Sequence, residues 1–545
     1  GFTATPLSRA SELARTVTVE TPLYTATFST LGARLLSVDL KHFRSAGGIH
    51  ALPGRTVSRP RPGQVLAPGD RVTLAGGPSF GLDLGSGARL HSLATTVFAV
   101  DDSADASGAI RRITFTAADS AGTRVRETWR VRPDTYALEL ELELHAPPAG
   151  ARPDDYSLTV RSWPTFTEAN RKSDDLLLRA TSLVGTSYHR DAARDLAKGR
   201  LPDYEGNVRW VAVQSRYFIA AVGVEQAAAR AATASGERRA VPPGTEPLVP
   251  RNESAQENVA ATTLVAAMPS ESQPLQHYVV YFGPTDYGLL SALGVGLERA
   301  VDLGFTWLRP ISHVLLVLLQ WIEAVVRNWG MAIVVLATLV RVVLHPLNIA
   351  SLRSMRAMQR LQPEMERLKE KYKNNQQEMN LAIMALYRDN KVNPAGGCLP
   401  ILIQMPIFFA LYAVLSNAIA LRQAPFVGWI DDLSSPDQLF SVAAFPVRLL
   451  PVIMAASGLL QQKLTPMSPQ QAPSAYMMNV VMLVLFYNTV PSGLVLYWIV
   501  MNVLTIVQQW LVLRQDQEPR SSAVVVEETP APKTRRKERR QPARR

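Results

Sequence analysis

Cysteine is almost absent: Cys398 is the one cysteine in 545 residues. A disulfide framework is therefore excluded. Charge is sparse too, at 19% of residues against 47% hydrophobic. That much apolar material excludes disorder over most of the length. Catalytic signatures are missing as well. Asp, Glu, His and Cys do not gather at metal-ligand spacing, and there is no Walker loop and no nucleophile elbow. His42, His50, His91, His145, His189 and His277 are scattered, with no catalytic partner beside them. The expectation is a protein that is not an enzyme and uses no metal and no cofactor.

Acids are missing from a further place. Five apolar stretches, at about 325–349, 397–421, 445–464, 475–490 and 494–513, contain no Asp or Glu. A bilayer-spanning helix needs roughly 17–25 such residues. The stretch at 475–490 is short for this, and the others suffice. A proton relay or cation pathway would want acids in these spans. Their absence speaks against a secondary transporter or pump.

What charge there is sits in two places. The net charge is +11. Residues Lys533 to Arg545 carry +7 and Ala350 to Ala395 carry +4, so the remainder is neutral on balance. A uniform basic protein would suggest nucleic-acid binding. Two local blocks flanking apolar spans suggest membrane topology instead. The positive-inside rule puts both blocks in the cytoplasm. The acidic loop 422–444, with Asp431, Asp432 and Asp437 against Arg422, then falls outside, as does everything before the first span. The mean hydropathy of +0.03 averages a soluble half and a membrane half.

Residues 1–288 read as strands and turns. Leu138, Leu140, Leu142 and Leu144 alternate with Glu139, Glu141 and Glu143, one face buried and one wet. Thr18 to Phe28, Ile113 to Phe115, Arg124 to Val131 and Val208 to Val224 are further candidates. Pro and Gly between them argue for a large all-β sandwich. Residues 289–324 change character. Trp307, Ile311, Val314, Leu315, Leu318 and Ile322 recur at helical spacing, which predicts a connector ending in an amphipathic helix on the membrane surface. The basic segment 350–395 reads as a helical hairpin. Met358, Leu361, Met365, Leu368 and Tyr372 form a heptad seam, and Lys373-Asn374-Asn375 is the turn. Residues 514–545 form a basic cytoplasmic tail. An exported domain needs a leader or anchor, and Gly1 follows neither, so a removed N-terminal segment is expected.

Arg341 is the most informative residue. It lies inside the first apolar stretch, about 18 Å along a helix from Trp329. Guanidinium does not lose its proton. Placing it near the membrane centre costs about 2.5–3.5 kcal/mol. It either snorkels to the headgroups or faces a wet cavity. Polar neighbours favour the cavity. Gln404 sits in the second stretch. Trp498, Asn502, Thr505 and Gln509 step by 4, 3 and 4 along the last, which is one helical face.

These residues resemble a known family. Asn328-Trp329-Gly330, Val340-Arg341, Pro346-Leu347, Met384-Ala385-Leu386-Tyr387 and Lys391-Val392-Asn393-Pro394 with Gly396-Gly397-Cys398 follow its pattern. So do Gln404-Met405-Pro406-Ile407-Phe408, Leu421-Arg422-Gln423-Ala424-Pro425-Phe426 and Pro491-Ser492-Gly493-Leu494-Val495-Leu496-Tyr497. The pattern, over about 283–513, is similar to the YidC/Oxa/Alb family of membrane protein insertases. The N-terminal half resembles the large periplasmic domain of its Gram-negative members, a β super-sandwich similar to sugar mutarotases. The family's own N-terminal span is absent here. His345 and Trp498 stand where many members carry Tyr.

The resemblance implies a membrane α-helical five-span core with a helical cytoplasmic hairpin. It implies a hydrophilic groove, open to cytoplasm and lipid, that inserts and chaperones nascent inner-membrane proteins. Arg341, Gln404, Tyr497, Trp498, Asn502, Thr505 and Gln509 would line it. Arg353, Arg356, Arg360, Lys369, Lys371 and Lys373 would present the hairpin to the signal recognition particle pathway. The implied partners are nascent chains, the Sec translocon, the ribosome and the lipid bilayer, with the basic tail against ribosomal RNA. The alternatives are a polytopic transporter or channel, and a carbohydrate-active external domain suggested by the sandwich alone.

Overall fold

The computed structural model describes residues 13–45, 60, 64–74, 79–85, 90–104, 108–120, 122–145, 153–162, 167–168, 171–226, 229–240, 256–393, 399–442, 445–464 and 472–517. The basic tail from Lys533 and the turn Pro394–Cys398 lie outside these residues.

The N-terminal half is built of three antiparallel sheets. The largest has nine strands, in the order Ser187–Ala192, Arg179–Val184, Val208–Gln214, Phe218–Gln226, Leu275–Pro284, Ala137–His145, Arg124–Val131, Ile110–Ala118 and Ala99–Ala104. A six-stranded sheet runs from Asp203–Glu205 through Ala229–Ala240, Gln256–Ala267, Asp155–Ser162 and Gly81–Leu84 to His91–Ser92. Thr16–Glu20, Tyr24–Ser29, Arg34–Arg44 and Arg71–Leu74 make a third. Aromatic rings join the layers. Phe28 lies 5.2 Å from Trp129, and Phe80 lies 4.9 Å from Phe282 and 5.9 Å from Trp129.

The Leu/Glu alternation behaves as its period requires. Leu138, Leu140, Leu142 and Leu144 are buried. Glu139, Glu141 and Glu143 pair across the face with Arg132, Arg130 and Arg126. Two expected strands are each a pair. Thr18 to Phe28 turns at Thr21, whose hydroxyl accepts the Tyr24 N–H. Val208 to Val224 turns at Ser215–Tyr217 and folds back on itself. Pro22 marks the first of these turns, whereas Ser215–Tyr217 carries neither Gly nor Pro.

The C-terminal half is helical. Its helices are α1 (Arg309–Val326), α2 (Trp329–Val343), α3 (His345–Arg360), α4 (Gln362–Lys371), α5 (Gln376–Asp389), α6 (Leu399–Asn417), α7 (Leu450–Leu464), α8 (Ala472–Thr489) and α9 (Ser492–Gln517). α9 packs on α7, α2 and α6, α1 packs on α2 and α6, and α8 packs on α7. The outward faces carry large apolar side chains: Trp321 and Val325 on α1, Val342 on α2, Val480 and Val484 on α8. Such a surface suits lipid and not water.

Four boundaries differ from expectation, each for a local reason. The segment 289–324 contains a short helix at Tyr287–Ser291, a 3-10 turn at Leu297–Ala300 and then α1. α1 and Ser492–Leu511 are each long and apolar enough to cross a membrane, and α2 with α3 is so as a pair bent by 61°. The first stretch ends as a helix at Val343, not 349. Pro346 has no N–H for the carbonyl of Val342, so the chain turns and restarts as α3. The heptad seam from Met358 to Tyr372 is not one helix. Pro363 restarts it at Gln362, and the hairpin region holds three helices, α3, α4 and α5. The stretch at 445–464 opens with the strand pair Phe440–Val442 and Phe445–Val447 and becomes helical only at Leu450.

A buried ion pair locks the two halves together. Arg422, in the loop after α6, donates from Nε to Glu168 Oε1 at 2.6 Å. A second guanidinium nitrogen donates to the carbonyls of Arg44 at 2.8 Å and Thr167 at 3.0 Å. Arg216 and the Tyr217 hydroxyl both donate to the carbonyl of Ser416, at 2.8 and 3.1 Å. Close approach also matters at Gly330, where a Cβ would overlap the ring of Phe426.

Glu127 is one of the titratable groups buried in the sandwich core. Glu127 is 2% exposed, and burial raises its carboxyl from 4.5 to about 8. The folded chain therefore holds this proton more tightly than the unfolded chain. The group's contribution to stability is present below about pH 4.5 and is lost as pH rises through 8. Glu127→Gln removes this dependence. Relative to the native chain, its unfolding midpoint rises from pH 5 to about pH 8 and levels off above that. A pH series of thermal melts in detergent checks this, and a difference that stays flat refutes it.

Candidate functional site

One cavity, of about 2250 Å³, runs along the helical half. Arg341, Gln404, Tyr497, Trp498, Asn502, Thr505 and Gln509 all line it. The structure brings together on one surface every groove residue singled out in the sequence.

Arg341 enters from the last turn of α2. The negative end of the helix dipole stabilises a cation there. Its Nε is buried and, among the described residues, without a hydrogen-bond partner, and Tyr497 stands within electrostatic reach of it. Among the described residues, Arg341 has no carboxylate partner. A half-buried, permanent charge whose buried Nε donor is unfilled demands water or a polar ligand.

The α9 residues play different parts. Trp498 sits edge-on to Phe408 at 5.2 Å and to Phe486 at 5.7 Å, bridging α9, α6 and α8. Asn502 is buried, and its amide donates to Ser457 Oγ at 3.0 Å on α7. The Thr505 hydroxyl donates to the carbonyl of Met501 at 2.6 Å on its own helix. Gln509 is buried near the inner end. Gln508, one residue earlier and also buried, lies with its amide nitrogen 3.2 Å from His345 Nδ1.

Sequence reasoning missed much of the wall. Asn348 and Ser351 on α3, Gln461 and Gln462 on α7, and Asn479 on α8 add polar groups. Met355, Met405, Met454, Met478, Met482 and Met501 also line the cavity. Methionine is unbranched and polarizable and conforms to varied apolar shapes. Two stripes lead outward. Met405, Phe409, Tyr412 and Ser416 step by 4, 3 and 4 along α6, and Met478, Met482, Leu485 and Thr489 step likewise along α8. This spacing was a readable signal, but any lipid-facing stripe shares it.

Of the hairpin region, α3 contributes Ser351 and Met355 to the cavity wall, while α4 and α5 lie apart from it. Arg353, Arg360, Lys371 and Lys373 are exposed, while Arg356 and Lys369 are half-buried. No residue of α4 or α5 is fully buried. The Tyr387 hydroxyl lies 2.8 Å from Met365 Sδ and ties α5 to α4.

Comparison with known proteins gives this geometry a context. A family described as YidC periplasmic domain matches residues 16–318, and one described as 60Kd inner membrane protein matches residues 321–519. The membrane protein insertase YidC of Geobacter sulfurreducens is 34% identical over 501 residues, 91% of this chain and 85% of that protein. The chain belongs to the YidC family of membrane protein insertases. A second relative, the membrane protein insertase YidC of Syntrophus aciditrophicus, is 33% identical over 516 residues, 93% of this chain and 86% of that protein. Among solved structures, an active YidC insertase with its first transmembrane domain resolved covers 91% of this chain and 92% of its own, at 17% identity and TM-score 0.36. As a YidC-family member, the chain is an inner-membrane protein with a periplasmic β domain, and it inserts membrane proteins.

Asn502 gives a direct check on the cavity wall. Its bond to Ser457 is an interhelical contact of a kind worth about 0.6–1.7 kcal/mol. A double-mutant cycle of Asn502→Ala and Ser457→Ala should return a coupling in that range in a detergent unfolding assay. Independent, additive effects would show that α7 and α9 are not joined there.

Proposed function

We propose that the chain inserts nascent membrane proteins through this cavity, acting as a groove open to cytoplasm and lipid. The observation that carries the reading is Arg341, charged, half-buried and, among the described residues, without a carboxylate partner, on a polar wall that leads into two apolar stripes. The inner part receives hydrophilic substrate segments. Arg341 attracts the acidic ones, which arrive with the partner that the wall lacks. The water in the groove shortens their path across the low-dielectric layer. The apolar part of the substrate slides along the stripes of α6 and α8 into lipid, and the methionines accommodate its changing side chains.

In this reading the N-terminal domain is periplasmic and the C-terminus cytoplasmic, as the two basic blocks require. The exposed arginines and lysines of α3 and α4 receive the signal recognition particle pathway and the ribosome. The tail contacts ribosomal RNA. The groove works alone or beside the Sec translocon. No bond is made or broken by the chain, so it acts as a chaperone and not as an enzyme.

Arg341→Ala tests the mechanism. Insertion of substrates with acidic external segments falls by roughly tenfold or more, as expected for loss of a charge-assisted contact of about 1.5–3 kcal/mol. Substrates with neutral segments are little affected. Protease protection in cells depleted of the native insertase measures both, and equal insertion of the acidic substrate would overturn the attraction. The tail is tested separately. Deletion of Lys533–Arg545 should abolish a ribosome association that weakens steeply with salt, measured by co-sedimentation.

A further inference from the structure

The cavity does not end at the outer ends of the membrane helices. Its lining continues to Arg190, Arg299 and Arg309, together with Asp302. These come from three separate elements. Arg190 lies on Ser187–Ala192, the edge strand of the nine-stranded sheet. Arg299 sits in the 3-10 turn Leu297–Ala300, and Arg309 is the first residue of α1. Arg179, on the next strand, approaches from behind.

One carboxylate, Asp302, pairs with two of these four guanidinium groups. Asp302 Oδ2 accepts from Arg179 and Arg190, each at 3.2 Å. Burial works to raise the Asp302 carboxyl, but Arg190 and Arg179 outweigh it and hold it below the usual range, so it is ionised. Arg299 donates instead to the carbonyl of Thr186 at 2.9 Å, and Arg309 to the carbonyls of Arg299 at 2.6 Å and Val301 at 3.0 Å. Neither makes an ion pair among the described residues. Four cations against one anion leave a net charge of +3 in a partly enclosed space. Like charges held this close favour an anionic ligand, and low-dielectric walls focus the field into the cavity.

The position of this cluster defines the ligand. It shares one cavity with Arg341, and the α6 stripe from Met405 to Ser416 leads between them. Those eleven steps rise about 17 Å along the helix. A substrate segment that leaves Arg341 and follows the stripe outward arrives here.

We propose that Arg190, Arg299 and Arg309 form a second anion-receiving station at the outer mouth of the groove, which takes the acidic side chains of a translocated polypeptide segment as it emerges. This rests on the groove reading above and adds an exit to its entrance. With attraction at one end only, an acidic segment held by Arg341 has no electrostatic reason to move on. A second positive site beyond the apolar path supplies one. The interaction is with exposed charge, so salt on the outer side weakens it.

The test uses the full chain in phosphatidylcholine proteoliposomes. Two nascent substrates differ only in their external tail, one carrying Asp residues and one carrying Asn. The measured quantity is the ratio of acidic-tail to neutral-tail translocation. A double variant, Arg190→Gln with Arg299→Gln, should lower this ratio by roughly fivefold, as loss of steering and pairing charge predicts. Arg299→Lys with Arg190→Lys, which keeps the charge, should restore it. A photoreactive probe at Trp498 reports the groove itself. Contact of the substrate with that probe, unaltered in the Gln variant, combined with a lowered ratio, supports the outer station. An unchanged ratio overturns it while leaving the groove intact. Failure of the Lys variant to restore the ratio also overturns it, because a structural role would then explain the loss. No contact at Trp498 in the native chain is a failure of the groove reading. If the Gln variant instead loses bound phosphatidylglycerol, added as a minor component, and keeps its ratio, the cluster serves a lipid headgroup and the proposal is wrong.

Discussion

A guanidinium that cannot shed its proton sits among apolar helices, and the bundle is organised around it. A carboxyl or an amine in that place would neutralise and let the helices close. Arg341 does not have that option. The helices α2, α3, α6, α7, α8 and α9 therefore surround a cavity instead of a filled core, and side chains such as Tyr497, Asn348, Gln404 and Gln462 face inward where leucine would pack better. The cavity is the structural answer to one charge. Insertion of a polar segment into a membrane poses the same electrostatic problem, and the proposed function uses the same solution.

A cavity of this size weakens a bundle, and compensation comes from outside the membrane helices. Arg422 reaches out of the loop after α6 and is held by Glu168 and two carbonyls of the β domain. Its guanidinium also lies over the ring of Phe218, at 5.2 Å. Breaking such a buried pair leaves an uncompensated charge and costs about 3–5 kcal/mol. Asp174, whose carboxyl burial raises from 3.8 to about 7, accepts the N–H groups of Thr167 and Glu168 and shapes the receiving turn. The sheets thus act as a rigid anchor for the outer ends of the helices. This places the arginines of the edge strand and of the turn before α1 at the rim of the same cavity.

Some of this was legible in advance because it is periodic or local. The alternation from Leu138 to Leu144 named a half-buried strand, and the structure buries one set and pairs the other with arginines. Trp498, Asn502, Thr505 and Gln509 named one face of one helix, and that face lines the cavity. The helix breaks were legible only in part. Pro346 and Pro363 are the signals, yet the hydropathy and the heptad pattern run straight through both, and a period says nothing about a bend of 61°. The strand turn at Thr21 carries Pro22, a readable signal, whereas the turn at Ser215 lacks Gly and Pro, so nothing marked it.

The sequence by itself determined which half meets lipid and that one charge cannot be dissolved in the membrane. These are consequences of composition and order, because transfer energy and topology depend on residues one after another. Only the tertiary structure decided that six methionines from α3, α6, α7, α8 and α9 share a wall, that Arg422 finds Glu168 across 254 positions, and that Arg190, paired with Asp302, shares a cavity rim with Arg299 and Arg309. Each joins residues far apart in the chain, and side-chain contact depends on packing that no local pattern encodes.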